Sequence, residues 1–297
     1  MNETVDSDST LRIAIIGAGK AGSVLARTWA ARGFTIAAVA SRTLRYAETL
    51  AQEVGARVTT ASAAAALADL TVFAVSDDAI AAAAAEAADL DWHGKGAIHL
   101  SGAYTSELLE GLAGRGAMTG SLHPAYPFAN RDLPPAFLRG VTFAIESDHP
   151  RLTEWLYDLV TTAEGRALPL RQNQKRLYHA ALTFTSNYAV TLYAASRRLL
   201  QSIGASEETA DAALLALLSG TLDNLRKQGV PGALTGPLVR GDIGTVEAHV
   251  DALSGQPELA RAYAALARLT LPLLDERGID TGSIEEFIEK WEGTWFA

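Results

Sequence analysis

An apolar run, Arg12-Ile13-Ala14-Ile15-Ile16, leads directly into Gly17-Ala18-Gly19-Lys20-Ala21-Gly22 and then into a helix-forming stretch. No other feature constrains the fold of this chain as strongly. Three glycines at this spacing between a strand and a helix have separate tasks. The first permits a tight turn, the second lets the backbone approach an anion, and the third lets the helix pack on the strand. The helix start then offers free N–H groups and the positive end of its dipole. Gly17, Ala18, Gly19, Lys20, Ala21 and Gly22 are therefore expected to hold the pyrophosphate of a dinucleotide, with a purely structural strand–helix turn as the alternative.

The rest of the first half repeats the strand–helix alternation. Apolar runs at Leu11–Ile16, Thr35–Ala40, Leu70–Val75, Ala97–Leu100, Ala117–Leu122 and Val141–Glu146 read as strands. Helical patterns at Ala21–Ala31, Leu44–Val54, Asp78–Ala88 and Thr105–Ala113 fall between most of them. Such alternation predicts βαβ units and a doubly wound, mostly parallel sheet, and the nearly continuous apolar character of the strands predicts helices on both faces. The runs Ala63–Ala66 and Ala79–Ala85 read as helices lying close on that sheet. From about Leu170 onward the pattern is helical: Gln172–Ser202, Ser206–Gln228, Thr245–Leu253, Glu258–Glu276 and Ser283–Trp291, interrupted by the Gly- and Pro-rich stretch Gly229–Gly244. The expected organisation is a disordered tail over residues 1–9, an α/β domain over 10–169 and an all-α domain over 170–297.

The second strand ends Ala38-Val39-Ala40-Ser41-Arg42-Thr43-Leu44-Arg45, with no acidic residue before Glu48. A site selecting the unphosphorylated nicotinamide dinucleotide places a carboxylate there to accept bonds from the ribose 2′-OH. Ser41, Arg42 and Arg45 instead offer a hydroxyl and two guanidinium groups suited to a 2′-phosphate, so the expected cofactor is NADP(H). Val75, Ser76 and Asp78, at the end of a later strand, are expected along the same crevice. Asp77 and Asp78 serve equally well as helix caps.

Two further strand ends, at Ser101 and at His123-Pro124, should open on this crevice. Imidazole is the side chain best suited to moving protons near neutral pH, and Pro124 holds the His123 backbone extended. Lys175, His179, Thr183 and Asn187 recur every four residues, so they share one face of the first helix of the second half. A polar stripe beside Ala180–Leu182 and Phe184 suits a helix turned towards a cleft.

On the glycine loop, on Ser121-Leu122-His123-Pro124-Ala125-Tyr126-Pro127-Phe128, on His179–Tyr188 and on Leu234-Thr235-Gly236-Pro237-Leu238-Val239-Arg240-Gly241-Asp242, the chain resembles the Rossmann-like NADP-dependent oxidoreductases with a helical C-terminal domain of unknown function. These are relatives of ketopantoate reductase and of proteins with a 6-phosphogluconate dehydrogenase-type C-terminal domain. Ketopantoate reductases carry a catalytic Lys followed by Asn residues four and eight positions on; His179, Thr183 and Asn187 stand at that spacing, and the Lys is replaced unless Lys175 takes the part. Thr235 and Glu247 resemble the hydroxyl residue and Glu that bind substrate in that family. His123 matches the substrate-contacting His of the His-Pro segment of prephenate dehydrogenases.

The resemblance implies hydride transfer from NADPH to the carbonyl of a small 2-keto acid. His179, and after it His123, would donate the proton. Asn187 and Glu247 would hold the substrate with Ser101, Thr183, Thr235 and Arg240. An imine reductase similar to pyrroline-5-carboxylate reductase is the alternative enzyme, and a nucleotide-binding sensor without turnover is the alternative of another class. A homodimer through the helical domain is expected.

The remaining composition excludes other classes. The chain carries 25 Lys+Arg against 34 Asp+Glu, a net charge of −9, and lacks the basic patch that nucleic acid requires. Without a cysteine it has no disulfides, thiolate metal sites or cysteine nucleophiles, and its six histidines lack ligand-like spacing, so no metal is expected. Gly-x-Ser-x-Gly, the serine-hydrolase elbow, does not occur. No signal-like start or membrane-length apolar run is present, which predicts a cytoplasmic protein.

Overall fold

The computed structural model describes residues 11–295; the tail expected over residues 1–9 lies outside them. The described residues form two compact units, divided between Asn187 and Tyr188.

The first unit is built on one sheet of eight strands: β1 (Arg12–Ile16), β2 (Thr35–Ala40), β3 (Arg57–Val58), β4 (Leu70–Phe73), β5 (Gly96–His99), β6 (Met118–Pro124), β7 (Thr142–Glu146) and β8 (Arg166–Pro169). Their order is β3-β2-β1-β4-β5-β6-β7-β8, and every neighbouring pair is parallel except β6 with β7. The chain order reverses at β1 and β4, so the crevice at this switch point lies beyond the glycine turn that ends β1. Six helices accompany the sheet: α1 (Lys20–Ala31), α2 (Leu44–Val54), α3 (Ala61–Ala66), α4 (Ile80–Ala85), α5 (Glu110–Ala113) and α6 (Pro150–Thr162). A seventh, α7 (Lys175–Thr185), follows β8.

Strand alternation divides the core between two faces. Ile13 and Ile15 of β1 pack with Val24, Leu25 and Trp29 of α1 and with Leu152, Leu156 and Leu159 of α6. Ala14 and Ile16 pack on the other face with Ala61, Ala64 and Ala65 of α3 and with Ile80 of α4. Full burial of each large apolar side chain contributes about 1.5–3 kcal/mol. The alanine runs thus lie against the sheet, as their small side chains predict.

Several elements differ from the expectation. The strands β3 and β8 are additional: one is two residues long, and the other is a largely exposed edge strand ending in Pro169. The helix α6 is also additional, although Leu152, Leu156, Leu159 and Val160 mark its buried face at helical spacing. Residues 105–113 and 78–88 contain short 3₁₀ turns leading into α5 and α4 rather than single long helices. The connection from β6 to β7 carries no α-helix, and those two strands are antiparallel. Finally, α7 falls within the compact unit that holds the sheet, so the units divide at Asn187/Tyr188 rather than at 169/170.

The second unit contains α8 (Asn187–Ser202), which begins at the boundary residue, α9 (Glu207–Ala233), α10 (Ile243–Ala252), α11 (Pro257–Asp275) and α12 (Gly282–Trp295). The expected helix Gln172–Ser202 is broken at Ser186, where α7 ends and α8 begins. The expected break in the Gly/Pro stretch begins as a kink in α9 at Gly229, with φ +72°, two residues before Pro231. Two apolar clusters hold this unit, one around Ala260, Ala264 and Trp291 and one around Leu271, Leu274, Ile284 and Ile288.

The turn after β1 is the tightest point of the sheet edge. Gly17 has φ +112°, and a Cβ there would lie 2.3 Å from the Ala74 carbonyl oxygen; a Cβ on Gly22 would lie 2.3 Å from the Gly17 oxygen. Gly17→Ala therefore combines backbone strain with a backbone collision and should cost about 2–4 kcal/mol. The urea midpoint of the variant should fall accordingly, and an unchanged midpoint would contradict this packing.

Candidate active site

The predicted cofactor residues gather at the C-terminal ends of β1, β2 and β4. A cavity of about 440 Å³ there is lined by Ile16, Gly17, Ser41, Arg42, Thr60 and Val75, among others. Gly17 N–H donates to the Ala40 carbonyl at 2.7 Å, tying the loop to the end of β2. The first turn of α1 has Gly19 at its N-cap, no capping side chain and no acidic residue. Its amide donors are thus left without a capping side chain to compete for them, the arrangement that suits an anion. Ala18 is buried, Lys20 is exposed and Ala21 is partly exposed.

The other members of the set are more dispersed. Arg45 lies outside the cavity lining, its guanidinium 5.2 Å from the centre of the Tyr46 ring. Ser76 precedes a 3₁₀ turn and caps it with no side-chain bond; Asp78 is exposed on that turn, while Val75 and Ala79 line the cavity.

A second cavity, of about 520 Å³, is lined by His123, Ala125, Tyr126, Pro127, His179, Leu182, Thr183, Thr185, Ser186 and Asn187. Three of the four residues of the predicted polar stripe, His179, Thr183 and Asn187, are here. The fourth, Lys175, is 1% exposed beneath them. Its ammonium donates to the Ser101 carbonyl at 2.8 Å and to Ser121 Oγ at 2.5 Å. Ser121 Oγ donates in turn to Glu146 at 3.0 Å, and Ser106 donates to the same carboxylate through Oγ at 2.8 Å. Every member of this chain is buried and hydrogen-bonded, the condition under which separated charges persist inside a protein. The network fastens the first turn of α7 to β6 and β7, and this is why the helix stays with the sheet.

The loop after β5 completes the wall. A Cβ on Gly102 would lie 2.9 Å from both His123 Nε2 and His179 Cδ2, so the two imidazoles close on this backbone. The ring centres of His123 and His179 are 6.4 Å apart. His123 Nδ1 lies 2.9 Å from the Tyr178 hydroxyl. With that O–H donating, the imidazole is neutral and carries its proton on Nε2. Burial, reinforced by the positive charge of Lys175, lowers the His123 pKa to about 4, and burial raises that of Tyr178 to about 12. Lys175 itself is lowered to about 8 by burial, against the opposing charges of Glu146 and Asp77. His123 and Tyr178 are therefore both neutral at pH 7.

Ser101 does not line the cavity: its carbonyl accepts from Lys175, and its hydroxyl accepts from the amides of Ala103 and Tyr104, each at 3.2 Å. Thr183 Oγ1 donates to the His179 carbonyl at 3.0 Å. Thr235, Arg240 and Glu247 belong to the second unit and are exposed. Sequence reasoning passed over Tyr178, Tyr126 and Gly102. The glycine between Ser101 and Ala103, just past a strand end, was the available signal of a close approach. Among the described residues no His, Asp or Glu group could hold a metal ion, and no helix is long and apolar enough to cross a membrane.

Residues 12–101 match the family described as NADP oxidoreductase, coenzyme F420-dependent, and residues 141–270 match a domain of unknown function (DUF2520). The N-terminal unit thus contains the segment that matches the NADP oxidoreductase model. Its cofactor is NADP(H), which agrees with Ser41 and Arg42 at the cavity and the absence of an acidic residue at the end of β2. Among solved structures, the chain is similar to a Bacteroides fragilis protein provisionally assigned as an NADP oxidoreductase, at 26% identity and TM-score 0.69, over 87% of this chain and 96% of that one. It has the fold of a pyrroline-5-carboxylate reductase from Coxiella burnetii, at 17% identity and TM-score 0.60, over 96% of this chain and 98% of the other. It also shares the fold of a reductive aminase from Aspergillus terreus in complex with NADPH, at 20% identity and TM-score 0.58, over 96% and 92%. Comparison with curated proteins finds no match.

Arg42→Ala should raise the Michaelis constant for NADPH far more than that for NADH; equal effects on both would refute the assigned role of Arg42. The imidazoles give a second prediction. His99, fully buried with Nε2 on the Thr105 carbonyl at 2.8 Å, is lowered by burial to about 4, as His123 is. Between about pH 6.5 and 4 the unfolded chain therefore binds more protons than the folded one. Stability falls as pH drops through that interval, by up to about 3 kcal/mol per ring. Urea unfolding from pH 7 to 4 should show this slope, and His123→Asn should flatten it by about one proton; an unaltered slope would contradict the buried neutral ring.

Proposed function

We propose that this protein is an NADPH-dependent reductase of a carbon–nitrogen double bond in a small substrate. The observation that carries the reading is the absence of carboxylate, lysine and arginine side chains from the lining of the second cavity. Its His123 is held neutral against Tyr178. Reduction of a ketone generates an alkoxide, which needs a proton donor placed at the oxygen as it forms. An imine protonated at nitrogen before hydride arrives reacts as the iminium ion, and hydride addition to its carbon leaves a neutral amine, so uncharged hydrogen-bonding groups suffice to orient it. The shared fold of the pyrroline-5-carboxylate reductase and of the reductive aminase supports the same reading.

NADPH, when bound, supplies the hydride. Gly17–Gly22 would hold its pyrophosphate, and Ser41 and Arg42 its 2′-phosphate. His123 Nε2–H orients the substrate. His179, at the mouth of the cavity, would pass a proton to the imine nitrogen, and the carbon of the resulting iminium ion would then accept hydride. Thr183 and Asn187 frame the site on the same helix face and beyond it.

A 2-keto acid reductase of the ketopantoate type is the second reading. The observation favouring it is Lys175, whose buried ammonium lends positive potential next to His123, where a substrate oxyanion would form. We also propose that the protein acts as a homodimer in the cytoplasm. Val190 of α8 and Leu217 and Val230 of α9 are exposed, the first two to 69%, and an exposed apolar surface of this kind favours association with a second copy.

The test is NADPH oxidation by the purified protein against cyclic imines and against 2-keto acids including ketopantoate. Turnover of an imine well above that of any keto acid is expected, with His179→Gln lowering kcat about 100-fold while NADPH affinity holds. Turnover of keto acids alone would favour the second reading, and tight NADPH binding without turnover of either class would make the protein a sensor.

A further inference from the structure

Arg131 is distant from the glycine loop in sequence and adjacent to it in the fold. It belongs to the long connection between β6 and β7, which crosses the start of α1 and α2. Its guanidinium carbon stands 3.5 Å from the centre of the Tyr46 ring, while that of Arg45 stands 5.2 Å from the same ring. One aromatic ring in the first turn of α2 thus holds two guanidinium groups, an arrangement that fixes planar cations without neutralising them. Arg131 Nη1 also reaches the carbonyl of Ala18, within the glycine loop, at 3.5 Å. Among the described residues no carboxylate lies within ion-pair distance of Arg131, although Asp132 beside it pairs with Arg27.

The backbone that carries Arg131 is itself tied down. Arg27 of α1 donates to the Arg131 carbonyl and pairs with Glu53 of α2 at 2.7 Å. The connection is therefore strapped to both helices that begin at the nucleotide crevice, and it presents a cation there. The cavity lined by Ser41 and Arg42 opens at the same end of β2 from which α2 starts. A ribose seated at Ser41 would carry its 2′-phosphate between that cavity and the Tyr46 stack.

We propose that Arg131, positioned by Tyr46, is a further phosphate-binding residue. With Arg42 and Arg45 it would form a three-guanidinium cage selective for a 2′-phosphorylated adenosine. The inference rests on the NADP(H) reading and deepens it, assigning nucleotide selectivity to a connection outside the strand–helix unit where such selectivity is ordinarily sought. Three guanidinium groups match the several acceptor oxygens of a phosphate dianion through directed, charge-assisted bonds.

The probes are adenosine 2′,5′-bisphosphate and ADP, titrated calorimetrically into the full-length protein, so that no turnover is required. Arg131→Ala should weaken the bisphosphate tenfold or more and ADP less than twofold. Tyr46→Leu, which leaves all three guanidinium groups and removes their platform, should weaken the bisphosphate in part. If Arg131→Ala disturbs the loop, seen as a lower melting temperature without ligand, Arg131→Gln takes its place. Equal losses for both probes would place Arg131 on the pyrophosphate or in a structural role and overturn the proposal. So would no loss for either. Loss of the bisphosphate in Arg42→Ala but not in Arg131→Ala would sink this inference alone. A wild-type protein that does not prefer the bisphosphate to ADP would instead remove the NADP(H) reading beneath it.

Discussion

Everything at the crevice depends on how closely three backbone segments approach one another at the end of β1. Gly17 sits where a side chain would strike the Ala74 carbonyl, and Gly22 sits where one would strike Gly17. This contact, free of side chains, lets α1 start against the sheet with its amide donors uncovered. It also fixes where β2 and β4 must end relative to that helix, and so where Ser41, Arg42 and Val75 stand. Any larger residue would force the helix away and remove both the anion site and the cavity wall beside it.

A second constraint acts on the chemistry side. The ammonium of Lys175 is buried and spans from the Ser101 carbonyl to the Ser121–Glu146 pair. Removing one member of such a buried charged chain costs on the order of 3–5 kcal/mol, because the others are left unpaired. The network thus ties the first turn of α7 to strands β6 and β7 with little freedom to slide. One turn further along that helix, His179 is brought to Gly102 and His123. A cavity assembled from a strand end, a loop and a helix needs such a tether, since none of the three determines the position of the others.

The division between what was legible in the sequence and what was not follows from the range of the interactions. The glycine turn, the parallel strands and the alanine helices are local patterns, and the folded chain contains them. The hydroxyl and guanidinium at Ser41 and Arg42 likewise follow from one strand end. The stripe His179–Thr183–Asn187 was readable from helical spacing, and it lines one cavity with His123. The strands β3 and β8 were not readable, because a two-residue pairing and a four-residue, largely exposed edge carry almost no periodic signal. Lys175 reads as a member of a polar face but is 1% exposed, because partners 54 and 74 residues away in sequence satisfy it. Arg131 was equally hidden, since its neighbours Tyr46 and Ala18 lie 85 and 113 residues earlier in the sequence. Long-range satisfaction of polar groups is the information that a single sequence withholds.

The central claim is that this crevice is built for a nicotinamide dinucleotide bearing an extra phosphate on its adenosine ribose. Equilibrium titration of the unmodified protein with NADPH and with NADH measures it directly. The account predicts saturable binding of both with NADPH at least tenfold tighter, whereas binding of neither, or a preference for NADH, would contradict it.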